Sequence, residues 1–311
     1  MKMIRKEKRY NKVSLWNMYK LVAIDLDGTL LNSHGTISEE TKRTLVEVQK
    51  QEVNIVLASG RPIDSIKAIA KEIGGQKYFI AGNGAIVYDI ENEKIIYEKC
   101  LPKEKLLKII KICEENSIGY SVYTENEILT SALKYNVLYY HKENAKKPEN
   151  QRTKINLISN MYEHIKNDEN SRFLKVTICD EDKAIFNSII RKVREISDIE
   201  VLDVAHMARK IIKQGTDEIP VEYYYTEVSQ SNVDKWYAIE FLAQKLEIKT
   251  EEIMAIGDNI NDKIMIEKAG LGVAMEQSTP IILNIANEVT KSNNEEGVAK
   301  ILQKYYKNIN F

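Results

Sequence analysis

Short, wholly apolar runs alternate with helix patterns at both ends of this 311-residue chain, and the alternation lapses in the middle. Leu21-Val22-Ala23-Ile24, Asn54-Ile55-Val56-Leu57-Ala58 and Tyr78-Phe79-Ile80-Ala81 are such runs. Each is closed by a polar or glycine-bearing turn: Asp25-Leu26-Asp27-Gly28, Ser59-Gly60-Arg61 and Gly82-Asn83-Gly84. Runs so short and so uniformly apolar predict strands covered on both faces, as in parallel sheets. Helix signals fill the gaps. Ser38 can cap a first helix whose opening turn carries Glu39 and Glu40. Pro62 suits the start of a second, Ile63, Ile66, Ile69, Ala70 and Ile73 give it an apolar face, and Gly74-Gly75 stops it. A β-α-β-α-β order of this kind implies right-handed crossovers.

The texture changes near residue 86. Ile86-Val87-Tyr88 and Ile95-Ile96-Tyr97 flank Asp89 to Lys94 like a hairpin. Phe173 to Cys179 alternates around Leu174, Val176 and Ile178, the pattern of a half-buried antiparallel strand, and Val221, Tyr223 and Tyr225 alternate likewise. Leu106, Leu107, Ile110 and Cys113, and Ile185, Ile189, Val193 and Ile196, form helical faces that can cover such a sheet. Residues 142–152 and 166–171 are polar and read as loops. Near residue 230 the first pattern returns, with a helix around Ile239, Leu242, Ala243 and Leu246 and strands at Ile253-Met254-Ala255-Ile256 and Leu271-Gly272-Val273-Ala274-Met275. The chain therefore reads as an α/β core made from both of its ends and interrupted by an α+β insertion.

Composition excludes several classes. Acidic and basic residues number 46 and 45, so no global field favours nucleic acid. No apolar stretch approaches the roughly 18 to 20 residues of a membrane span. Cys100, Cys113 and Cys179 are odd in number and lack a C-x-x-C, which suits reduced thiols in the cytoplasm. Residues 1–17 carry Lys2, Arg5, Lys6, Lys8, Arg9 and Lys12 against Glu7 alone. No apolar stretch of signal-peptide length follows them, so they read as a disordered basic extension.

The chemistry gathers at strand ends, where ligand sites of open α/β sheets lie. Asp25 and Asp27 leave the first strand two residues apart, able to bind a metal or to serve one as nucleophile and the other as proton carrier; the segment alone reads equally well as a solvated Asp-x-Asp-Gly turn. Gly257-Asp258-Asn259-Ile260-Asn261-Asp262 repeats the design at the strand Ile253 to Ile256. If these two strands are neighbours, Asp25 and Asp258 converge. Carboxylates brought together without a cation repel, so hard oxygen donors at one point suit Mg²⁺, which also bridges to phosphates. Ser59-Gly60 offers a hydroxyl and backbone N–H groups before a helix N-terminus, a favourable anion site. Lys235 stands in the first turn of a helix, where a cation is disfavoured unless it reaches for an anion; taken alone it reads first as one of the chain's many solvated lysines.

With these segments in this order, the chain resembles the Cof-like subfamily of the haloacid dehalogenase superfamily, which carries a type IIB cap. The resemblance rests on Asp25-Leu26-Asp27-Gly28-Thr29-Leu30, Ala58-Ser59-Gly60-Arg61, Gly82-Asn83-Gly84-Ala85, Lys235, Gly257-Asp258-Asn259-x-Asn261-Asp262, Gly272-Val273-Ala274-Met275 and Glu296-Gly297-Val298-Ala299. It implies a Rossmann-like core, residues 18–85 and 229–311, with a specificity-setting cap over 86–228. It also implies phosphoryl transfer to Asp25, with Asp27 as acid and then base, and Mg²⁺ held by Asp25, the Asp27 carbonyl and Asp258. Ser59, Gly60, Lys235 and Asn261 would bind the phosphoryl oxygens. Thr29 would brace the nucleophile loop, Asp262 would orient Lys235 or metal-bound water, and Asn83 would lie near the substrate. The chain departs from the subfamily pattern at Trp236, Lys263 and Glu276-Gln277-Ser278, none of which replaces a reacting group.

His34, His141, His164 and His206 show no ligand spacing. Tyr223-Tyr224-Tyr225 reads as strand, and Lys146-Lys147 as part of a solvated loop. The expected activity is a Mg²⁺-dependent phosphatase for a small phosphorylated metabolite such as a sugar phosphate. A phosphotransferase or mutase would use the same residues, and a catalytically silent metabolite-binding protein is the alternative outside enzymes. Neither nucleic acid nor membrane is an expected partner; monomer and dimer are both open.

Overall fold

The computed structural model describes residues 19–145, 149, 152–202, 207–214 and 217–306. The expectations for residues 1–17, Lys146-Lys147 and His206 lie outside the described residues. The chain divides into two compact units, residues 1–55 with 246–311, and residues 56–245.

The first unit is built from both ends of the chain. Its strands Glu288–Thr290, Leu271–Met275, Ile253–Gly257 and Leu21–Ile24 lie side by side in that order, every pairing parallel. Leu21–Ile24 and Ile253–Gly257 are buried throughout, as uniformly apolar strands covered on both faces must be. The register sets Ile24 beside Ile256, and the Asp25 amide donates to the Ile256 carbonyl at 3.0 Å. Both strands thus end at one level, which meets the condition for Asp25 and Asp258 to converge. Helix Glu39–Gln49 begins at its expected cap: Ser38 Oγ accepts from the Thr41 amide at 3.1 Å. Glu296 reinforces that cap, accepting from the Ser38 hydroxyl and, at 2.7 Å, from Thr41 Oγ1.

The second unit takes up the chain within strand Asn54–Ala58, which pairs in parallel with Tyr78–Ala81. Helix Ile63–Ile73 between them buries Ile63, Ile66, Ile69, Ala70 and Ile73, the face expected of it, and ends at Gly74 with φ +75°. The expected hairpin is present as Ile86–Asp89 with Lys94–Glu98, and its first strand pairs antiparallel with Tyr78–Ala81.

A second sheet in this unit runs in the order Ile199–Val201, Asp217–Gln230, Phe173–Asp180, Gly119–Thr124, Glu127–Thr130 and Lys154–Leu157, with Met207–Gln214 also paired to Asp217–Gln230. Helices Lys103–Glu115, Met161–Asn167 and Lys183–Val193 cover one face, where Ile110, Cys113, Val122, Val176, Ile178, Phe186 and Val228 pack together. Phe173–Asp180 is not half-buried as its alternation predicts. Lys175 and Thr177 on its other face are buried as well, because Tyr123 and Glu227 from the flanking strands close over Lys175. No disulfide joins the cysteines. Burial pushes the Cys100 thiol up to about 12, aided by Glu98 and Glu125, and drives Cys113 higher still.

Candidate active site

In the first unit the chain leaves Leu21–Ile24 into a tight loop. The Thr29 and Leu31 amides donate to the Leu26 carbonyl, at 3.3 and 2.9 Å, and the Leu30 amide donates to the Asp25 carbonyl at 3.2 Å. This winding keeps Asp25 buried and leaves Asp27 exposed. Gly28 makes the loop possible. Its φ is +90°, and a Cβ there would come 2.4 Å from Asp258 Oδ2. Thr29, buried, donates its hydroxyl to Asp258 Oδ1 at 3.2 Å, so it braces the partner carboxylate directly.

The exit from Ile253–Gly257 is a 3₁₀ turn, Ile260–Asp262, and Asp262 folds back on it. Its Oδ2 accepts from the Asp258 amide at 3.0 Å and the Asn259 amide at 3.1 Å. That fixes the loop that presents Asp258, with Asn261 half-buried in the same turn. Asp25, Asp258 and Asp262 each offer a carboxylate oxygen, and these oxygens all lie within 4.8 Å of one another. Asp25 and Asp262 are buried and Asp258 is half-buried, so three carboxyl groups stand close together away from bulk solvent. An all-oxygen donor set with such mutual repulsion fits a hard dication.

The second unit holds Ser59, Gly60, Asn83 and Lys235. The Ser59 amide donates to Ile80 O at 3.0 Å, and the Asn83 amide donates back to Ser59 O at 2.9 Å. The Ser59 hydroxyl, in a buried residue, accepts from the Arg61 amide at 3.2 Å. Gly84, at φ +105°, lets the turn touch the start of helix Lys235–Lys245: a Cβ there would meet the Asp234 carbonyl oxygen at 2.0 Å and the Lys235 nitrogen at 3.0 Å. Asp234 accepts from the Tyr237 amide at 3.0 Å, the contact of an N-cap. Lys235 is fully buried at the head of its helix, unlike a solvated surface lysine, and Trp236, next in sequence, is 2% exposed.

Near these groups, Glu227 and Lys175 are not singled out by the sequence, and Gln277 enters it only as a departure from the subfamily pattern. Gln277 Nε2 donates to the Gly28 carbonyl at 2.5 Å. Gln277 follows strand Leu271–Met275, so the strand-end rule that selected Asp25 and Asp258 could have selected it too. Glu227 and Lys175 join Asn83 through pairing between segments far apart in sequence, which alternation alone does not reveal.

Residues 22–302 match the haloacid dehalogenase-like hydrolase family. YxeH of Bacillus subtilis (strain 168) is 33% identical over 286 residues, covering 91% of this chain and 96% of that protein. The 5-amino-6-(5-phospho-D-ribitylamino)uracil phosphatase YcsE of the same organism is 26% identical, covering 91% and 94%. A solved haloacid dehalogenase-like hydrolase from B. subtilis superposes with a TM-score of 0.74 at 26% identity, covering 91% of this chain and 99% of that one. With a parallel sheet presenting carboxylates at its strand ends and a family match over most of its length, the chain belongs to the haloacid dehalogenase-like hydrolases, as an enzyme of the phosphatase class.

Proposed function

We propose that this phosphatase is Mg²⁺-dependent and hydrolyses a small phosphorylated metabolite, a sugar phosphate in the first instance, through an aspartyl-phosphate. The observation that carries the reading is the Asp25, Asp258 and Asp262 cluster at the ends of two paired parallel strands. A carboxylate oxygen of Asp25 attacks phosphorus as the bond to the leaving oxygen breaks. Asp27, exposed beside it in sequence, gives that oxygen a proton. It then takes a proton from the water that attacks phosphorus and frees Asp25 and inorganic phosphate. Ser59, Gly60, Lys235 and Asn261 bind the phosphoryl oxygens, on which charge must be stabilised during transfer. Mg²⁺, held by the Asp25 and Asp258 carboxylates and the Asp27 carbonyl, would supply neutralising charge to the phosphoryl group. Thr29 and Asp262 hold Asp258 in place, as their hydrogen bonds support.

Residues 18–85 and 229–311 form the catalytic core in this reading, and 86–228 the cap that selects the leaving group. A phosphorylated ribityl chain in the substrate named for YcsE supports a small polyol or sugar phosphate here. Among the described residues no helix is long and apolar enough to cross a membrane. The test is phosphate release from phosphorylated sugars, nucleotides and cofactors, with Mg²⁺ and with a chelator, and with product analysis in the presence of free sugars. Release that needs Mg²⁺ and yields free phosphate supports the reading. Release undiminished by the chelator contradicts the metal, and transfer to the sugar in place of phosphate release contradicts hydrolysis.

A further inference from the structure

The second sheet reaches the Gly82–Gly84 turn through an ion pair. Lys175 Nζ lies 2.6 Å from Glu227 Oε1 and 5.0 Å from the ring centroid of Tyr123. The Lys175 side chain is 8% exposed and that of Glu227 24%. The other oxygen of Glu227, Oε2, accepts from Asn83 Nδ2 at 3.1 Å. Asn83 sits at φ +56° with its own amide on Ser59 O, and its Oδ1 stands only 2.8 Å from where a Cβ on Gly60 would be.

These contacts leave the Asn83 side chain one orientation. A carboxylate can only accept, so the NH₂ end must face Glu227, and the oxygen end is then the one laid against Gly60. Lys175 holds the Glu227 carboxylate in place, which fixes the acceptor that the amide meets. Stability alone gives little reason for such a pair, because well-packed apolar side chains serve a buried site as well or better. Apolar side chains could not orient an amide.

We propose that Glu227 is a positioning residue for the phosphate-binding loop: held by Lys175, it sets the Asn83 amide with its oxygen against Gly60 and thereby fixes the Ser59–Gly60 conformation that receives the phosphoryl group. This rests on Ser59 and Gly60 binding phosphate, as proposed above. Asn83 is the intermediary, so removing Glu227 matters only while Asn83 is present.

The test is calorimetric binding of inorganic phosphate to the full chain in Mg²⁺, for wild type, Glu227→Ala, Asn83→Ala, their double variant, Glu227→Gln and Lys175→Met. Circular dichroism checks the fold of each. Glu227→Ala and Asn83→Ala should each weaken phosphate about tenfold, the low end of what lost supporting partners cost at ligand sites. The double variant should bind no more weakly than either single one. Glu227→Gln should recover most of the loss, since its carbonyl still accepts from Asn83. Should Glu227→Ala fail to fold, Lys175→Met carries the same test: a loss that vanishes in the Asn83→Ala background supports the inference. Losses that add in the double variant overturn it, as does wild-type affinity in Glu227→Ala or, where that fails to fold, in Lys175→Met. If wild type itself binds no phosphate, the phosphate assignment of Ser59 and Gly60 fails, and this inference fails with it.

Discussion

A methyl group on residue 28 would have to share space with Asp258 Oδ2, and the backbone there is at φ +90°, where L side chains are strained. Gly28→Ala must therefore open the loop or push Asp258 aside. The expected result is roughly a tenfold or greater loss of turnover together with a higher Mg²⁺ requirement, measured by titrating Mg²⁺ against phosphate release. Unchanged Mg²⁺ dependence would show that the crowding is relieved without cost to the metal ligands. The meeting of Asp25 and Asp258 was legible in the sequence because two apolar strands end in the same design, whereas the closeness of Asp262 depends on a turn that the apolar run does not specify. The resemblance makes Thr29 a brace for the nucleophile loop, whereas its hydroxyl donates to Asp258, 229 residues away. Glu227 and Lys175 were not legible, because each sits in a strand whose pattern says only which side it faces. Their meeting depends on register between Asp217–Gln230 and Phe173–Asp180.

Elements with a single strong signal were read well. Leu21–Ile24, Asn54–Ala58, Tyr78–Ala81, Ile253–Gly257 and Leu271–Met275 all lie where their apolar runs place them. Gly119–Thr124, Glu127–Thr130 and Lys154–Leu157 were not read as strands. Gly119–Thr124 mixes tyrosine, serine and threonine with one valine and shows no clean period of two, while Lys154–Leu157 alternates over only four residues, too short a run to mark a strand. Tertiary pairing decides such segments. The cap of Glu39–Gln49 is a signal that can be tested by itself. Ser38 Oγ accepts from the Thr41 amide while its hydroxyl reaches Glu296, which stands at the head of helix Gly297–Tyr305. Ser38→Ala should cost about 1 kcal/mol, read as a fall of roughly 2–4 °C in Tm. A Tm equal to that of wild type would mean that Thr41 and Glu296 hold the helix start without the cap.

The first unit draws its four parallel strands from residues 21–24 and 253–290, so its sheet, and with it the carboxylate cluster, cannot form from either end of the chain alone. The sequence shows a parallel pattern that stops near residue 86 and returns near 230, and the pairing of Leu21–Ile24 with Ile253–Gly257 joins a segment before that break to one after it. The antiparallel turn of the chain after Tyr78–Ala81 was visible as a hairpin; its pairing back onto that strand was not, because a hairpin pattern names its own two strands and says nothing of a third. The central claim is that this assembly exists to let one carboxylate take up a phosphoryl group. It is tested most directly by phosphate release in Mg²⁺ from wild type beside Asp25→Asn, on whichever phosphorylated metabolite the wild type turns over best. The substitution keeps the size of the side chain and removes the nucleophilic oxygen's charge. Loss of turnover by several orders of magnitude, with the fold intact by circular dichroism, is the predicted result. Turnover in Asp25→Asn within a few fold of wild type would contradict the account.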